Sequence, residues 1–99
     1  MLKINQTKNE KNVTVELDGR LDTNTAPELD AALGELMEGA ESLVLDFEKL
    51  EYVSSAGLRV LLSAQKTMSK QGEMKLLHVN ETIGEIFEVT GFCDILTIE

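Results

Sequence analysis

The 99-residue chain is 42% hydrophobic, which gives one ordered domain over residues 1–99 with a single core and little room for a deep enzymatic cleft. Nine Lys and Arg against eighteen Asp and Glu leave a net charge of −9, which argues against direct nucleic-acid binding and serves either solubility or steering toward a partner with a basic face. No apolar run approaches the roughly 18 residues of a membrane span and no leader-like segment opens the chain. One Cys and one His build neither a disulfide nor a structural zinc site without many carboxylates; a cytoplasmic protein without membrane contact is expected.

Leu2 to Asn5 begins an alternating pattern, and Val13, Val15 and Leu17 continue one. The polar segment Thr7 to Asn12 between them predicts a hairpin with a loop longer than two residues. Gly19 marks a bulge or bend, and Asp22 closes the second segment. Thr25-Ala26-Pro27-Glu28 has the form of a capping box with proline in the first helical turn. Ala26, Leu29, Leu33, Leu36 and Met37 recur at helical spacing, and Gly39 is the expected stop.

Leu43-Val44-Leu45, ending at Asp46, predicts a short central parallel strand, with Phe47 to Val53 as a connecting loop. Ser54-Ser55-Ala56-Gly57 opens a helix that runs to about Lys70. Leu58, Leu61, Leu62, Gln65 and Met68 form its core stripe. Arg59, Ser63, Lys66 and Lys70 fall on the opposite face. Val60 lies on the flank near them, so Arg59, Val60 and Ser63 are candidate partner contacts. Gly72 ends this helix, and Met74 to Val79 reads as another strand. Asn80 caps a third helix with Ile83, Ile86, Phe87 and Thr90 on one face, and Gly91 ends it. Ile95 to Ile98 is a last strand or a truncated element. The fold class is α/β: a mixed, mostly parallel sheet with an N-terminal hairpin, packed by helices through right-handed crossovers.

Catalytic chemistry is poorly supported. A serine elbow needs glycine two residues either side of the nucleophile, whereas Val53 precedes Ser55. No glycine-rich phosphate loop is present. His78 is expected to be partly buried without a catalytic role, and Cys93 to be a small buried apolar residue. Asp22 and Asp46 could share a cation, but two carboxylates make a weak metal site; each could equally satisfy loop N–H groups. Ser54 and Ser55 sit where a helix begins, so either can serve as a cap. The same place, with its free N–H groups and positive dipole end, also accommodates a phosphate. In the expected fold Asp22, Asp46 and the serine pair share one edge of the sheet.

Gly19-Arg20-Leu21-Asp22, the strand ending at Asp46, and Tyr52-Val53-Ser54-Ser55-Ala56-Gly57-Leu58-Arg59-Val60-Leu61-Leu62 together resemble the bacterial anti-sigma factor antagonists, the stand-alone members of the STAS domain family. The resemblance extends over essentially the whole chain, through the Gly72 turn to Thr90-Gly91-Phe92. It implies that the unphosphorylated protein binds an anti-sigma factor that is also a serine kinase, so that the sigma factor is released. The kinase then phosphorylates the antagonist, and a PP2C-type phosphatase resets it. The acceptor in the family lies two residues before the glycine of Gly-Leu, which is Ser55, with Ser54 as runner-up. Ser54 stands where Asp is frequent, Ala56 replaces a frequent Ser or Thr, and Asp22 matches an acidic position near the acceptor. Asp22, Asp46, Ser54, Ala56 and Gly57 thus form the expected environment of the phosphosite. No cofactor and no metal are implied, since ATP belongs to the kinase. The alternative is a constitutive STAS adaptor subunit of a larger regulatory or lipid-transport assembly, with Ser55 only a cap. A nucleotide-binding domain is a third class, for which the chain offers no loop.

Overall fold

A computed structural model describes residues 2–99. Strands β1 (Leu2–Asn9) and β2 (Asn12–Leu21) pair antiparallel from Leu2↔Gly19 to Asn9↔Asn12. The expected long loop is in fact the two-residue turn Glu10-Lys11. Glu10 takes the left-handed conformation (φ 59°) that lets so short a connection match the strand twist. Helix α1 (Ala26–Leu36), strand β3 (Ser42–Val53), helix α2 (Ser55–Ser69), strand β4 (Glu73–Leu77) and helix α3 (Glu81–Thr90) follow. The sheet order is β1-β2-β3-β4, with β2, β3 and β4 parallel. The α1 and α2 crossovers supply the long connections that parallel neighbours need.

One face of the sheet carries the core. Val13, Val15 and Leu17 on β2, Leu43, Leu45 and Phe47 on β3, and Met74 and Leu76 on β4 are buried at every second position. Thr14, Glu16, Val44, Asp46 and Lys75 alternate with them on the wetter face. Leu29 and Leu33 of α1, Leu61 and Met68 of α2, and Ile83 and Phe87 of α3 complete the core. The Phe87 and Phe47 rings meet at 6.4 Å between centroids, which pins α3 to the sheet.

Several expectations are corrected. Phe47 to Val53 is the second half of β3 rather than a loop. The strand has one extra residue between its partners to Glu16 and Asp18, and another between those to Gly19 and Arg20. Two bulges therefore change the spacing of its buried residues to Phe47, Leu50 and Val53. The capping box does not form: Thr25 is at the N-cap, but its side chain makes no cap bond. Ile95 to Ile98 supplies only a single bridge, Leu76↔Ile98, after a 3₁₀ turn at Phe92–Asp94. Val60 is buried at 9% exposure. Helix α2 packs against α1 as well as the sheet, so its covered arc widens to include Val60 and Ala64. His78 and Cys93 are exposed instead of buried: His78 follows the end of β4 in a left-handed conformation (φ 57°), and Cys93 lies in the 3₁₀ turn, which buries none of its residues.

Candidate functional site

The ends of β2 and β3 hold the serine pair. Arg20 pairs with Tyr52 and Leu21 with Val53, and the Ser54 N–H donates to the Leu21 carbonyl at 2.8 Å. Ser54 is therefore fixed to the last residue of β2 before α2 begins. Its backbone is extended (φ −87°, ψ 175°), and its Oγ accepts from the Gly57 N–H at 3.3 Å while its carbonyl accepts from Leu58. This is an N-cap in the usual sense. Gly57 is required by close approach: a Cβ there would lie 2.7 Å from Leu21 Cγ and 3.1 Å from Val53 Cγ1. The helix start is thus pressed onto the two strand ends.

Ser55, the first residue of α2, differs from its neighbour. It is exposed, and among the described residues its hydroxyl has no hydrogen-bond partner. The first turn of α2 holds no acidic side chain of its own at the positive end of the helix dipole. An added phosphate would meet that end directly.

Asp22 follows Leu21 and so lies next to Ser54 across the strand ends. Its Oδ1 accepts from the N–H groups of Asn24 and Thr25, each at 3.0 Å. Its own N–H donates to Thr25 Oγ1 at 2.8 Å, and that hydroxyl donates to the Arg20 carbonyl at 2.8 Å. Thr25 is buried at 6% exposure and locks this turn. The Thr25 N–H bond, followed by that from Asn24, holds the Asp22 carboxyl below its ordinary range against partial desolvation. Asp22 is a fixed anion whose Oδ1 is turned into its own loop. Arg20 stacks on Tyr52, with Cζ 4.7 Å from the ring centroid. The Arg20–Tyr52 stack escapes sequence reasoning because it arises from cross-strand register, whereas the Thr25 lock is a local turn over residues 20–25 that stands where a capping box was expected.

Asp46 does not join this site. It faces Glu16, and β2 needs five more residues to reach Leu21, a separation of about 17 Å along the strand. Asp46 instead contacts His78 at the end of β4, with Oδ1 to Nδ1 at 2.8 Å, and accepts from the Glu48 N–H at 3.0 Å. Partial burial pushes the Asp46 carboxyl up, but the His78 contact and the Glu48 bond outweigh it and hold the group below its ordinary range. The same contact with Asp46 raises the imidazole. Asp22 and Asp46 therefore cannot share a cation. Asp46, Glu48 and His78 do bring three ligand atoms within 4.8 Å of one another, a cluster already explained by the Asp46–His78 pair.

Of the remaining predicted residues, Ala56 is half-buried beside the serines. Arg59 and Ser63 are exposed on the outer face of α2 with Lys66 and Lys70, and Val60 is turned away into the core. No described helix is long and apolar enough to cross a membrane.

The STAS domain model matches residues 3–99. BtrV of Bordetella bronchiseptica, named as an anti-sigma factor antagonist, is 37% identical over 83% of this chain and 72% of its own length. The anti-sigma-B factor antagonist of Staphylococcus aureus is 30% identical over 98% of this chain and 92% of its own. The fold matches that of the Bacillus cell fate determinant SpoIIAA, solved in its phosphorylated form, with a TM-score of 0.74 at 18% identity, covering 100% of this chain and 91% of that one.

Proposed function

The chain belongs to the STAS domain family, and from that membership we propose that it is an anti-sigma factor antagonist switched by phosphorylation of Ser55. In this reading the unphosphorylated protein binds an anti-sigma factor with serine kinase activity and thereby frees a sigma factor. Transfer of phosphate from the kinase's ATP to Ser55 ends the complex, and a PP2C-type phosphatase restores it. The observation that carries the choice of serine is the division of labour at the start of α2. The Ser54 hydroxyl is half-buried and engaged as the cap, whereas the Ser55 hydroxyl is exposed and free.

The physics of the switch is local. Phosphate adds about −1.5 to −2 charges and three acceptor oxygens. The positive helix end and the N–H groups of the first turn stabilise that group without a change of fold. The fixed Asp22 anion lies beside it, so the surface becomes strongly negative where Arg59 and Ser63 would meet a partner. Association then carries both the desolvation of a dianion and its repulsion from any acidic group on the kinase. Asp46 takes no part, since about 17 Å exceeds the screening length of about 8 Å at physiological salt.

The test is intact mass and site mapping on protein from its native host, with and without phosphatase. One phosphatase-sensitive phosphate on Ser55 is expected. Protein unmodified there under both growth and stress would overturn the switch and favour the constitutive adaptor.

A further inference from the structure

We infer that the outer side of α3 is a second docking surface, built for a cationic amphipathic helix of a partner protein. Glu81, Glu85 and Glu88 recur at helical spacing along one exposed stripe of α3, which contains no Lys or Arg. The ion pairs among the described residues, Lys11–Glu41, Lys75–Glu99 and Asp46–His78, include none of the three. Glu81 and Glu85 are like charges one turn apart, which weakens a helix. Glu88 lies in the last turn, where the dipole disfavours an anion and no basic residue offsets it. Glu81 is favoured by the dipole in the first turn, but Glu85 and Glu88 are unfavourable in the isolated chain and are relieved by cations from outside.

The glutamates rim a groove whose floor is Val79, Gly84 and Ile98. Gly84 costs helix stability relative to alanine. Packing within the chain does not demand it: a Cβ there would meet only Val79 Cγ1, at 4.0 Å, an ordinary contact. What the missing side chain provides is a shallow point where another helix can approach closely. Ile98 is 36% exposed, and Val89, on the far side of the stripe, is 87% exposed. The occupant fitted by this surface presents small or apolar residues to the floor and a flanking row of Lys or Arg to the three glutamates. A second copy of this chain fits poorly. Its net charge is −9, and its one basic row, Arg59, Lys66 and Lys70, is interrupted by Ser63 and carries no apolar side chain. The surface is distinct from the serine pair, and the inference holds whether or not Ser55 is phosphorylated.

The test is a titration of the isotopically labelled full chain, at physiological salt, with a synthetic Lys/Leu/Ala amphipathic helix of about 18 residues. Amide shifts are expected at Val79, Gly84, Glu85, Glu88 and Ile98. The triple variant Glu81→Gln/Glu85→Gln/Glu88→Gln and, separately, Gly84→Leu should each weaken binding by about tenfold or more, or roughly 1.4 kcal/mol per tenfold. The thermal midpoint of Gly84→Leu should not fall below that of the parent, since leucine favours the helix. A control triple on α1 and the turn after it, Glu28→Gln/Glu35→Gln/Glu38→Gln, should stay within about twofold, as screened exposed charges distant from the groove contribute little. The inference is overturned if the shifts map elsewhere, if the α1 control loses as much affinity, if Gly84→Leu binds as the parent does, or if the groove is instead filled by self-association.

Discussion

Ser54→Ala and Ser55→Ala should separate stability from switching, although the two serines are adjacent. The Ser54 hydroxyl accepts the Gly57 N–H at 3.3 Å at the N-cap of α2. Losing such a cap costs about 0.5–2 kcal/mol, and the long bond places this case near 1 kcal/mol. For a chain of this size that lowers the thermal midpoint by about 4–8 °C. The Ser55 hydroxyl makes no bond within the fold and is exposed, so Ser55→Ala should change stability by less than about 0.5 kcal/mol. In a kinase assay the order reverses: Ser54→Ala should still accept phosphate, and Ser55→Ala should not. Thermal and urea denaturation of both variants, with phosphate incorporation measured in parallel, provide the check. A Ser55→Ala protein as destabilised as Ser54→Ala would refute the capping geometry. A Ser55→Ala protein phosphorylated normally would refute the choice of acceptor.

Ser55→Asp should bind the kinase partner at least about tenfold more weakly than Ser55→Ala, because a charge remains in the contact surface; equal affinities by calorimetry would count against an electrostatic switch. Ser54→Asp should keep the cap and gain about 0.3–1 kcal/mol from the helix dipole, seen as a raised urea midpoint. Asn80→Ala should lose about 2 kcal/mol, since it removes the cap bond to the Ile83 N–H at 2.8 Å and the donor to the Leu50 carbonyl at 3.0 Å; a loss below about 0.5 kcal/mol would show that water replaces both. The Asp46–His78 contact should contribute a pH-dependent increment. His78 is raised, so its share is full below the unfolded value near 6.5 and disappears as pH rises through the folded value. Asp46 is lowered, so its share is present above the unfolded value near 3.8 and disappears as pH falls through the folded value. The pair therefore stabilises most in the mildly acidic range between them. His78→Gln should flatten that part of the stability–pH curve, and an unchanged curve would show that the contact carries no net energy.

The helices were the most legible part of the chain. The spacing of Leu29 and Leu33, the serines before Gly57, and Asn80 before Ile83 are local signals, and a helix satisfies its backbone within its own segment. The second half of β3 was not legible. Two bulges place Phe47, Leu50 and Val53 three residues apart, a spacing that matches neither strand nor helix over so short a run. Its extended form comes from the β2 partner alone. That extension also moves Asp46 away from the serines, so its absence from the expected phosphosite environment follows from the misread boundary of β3.

Sequence by itself determined that this is a single acidic α/β domain with a serine pair at a helix start. Those features rest on composition, periodicity and capping chemistry, each of which acts over a few residues. Only the tertiary structure decided which serine is committed to the cap and which is free, because that depends on Leu21 and Val53 closing against Gly57. It also decided that Val60 is core, since two packing partners cover α2 where a single stripe predicts one. The placement of Asp22 beside the serines and of Asp46 beside His78 is likewise set by strand register, and register depends on a partner strand distant in the chain.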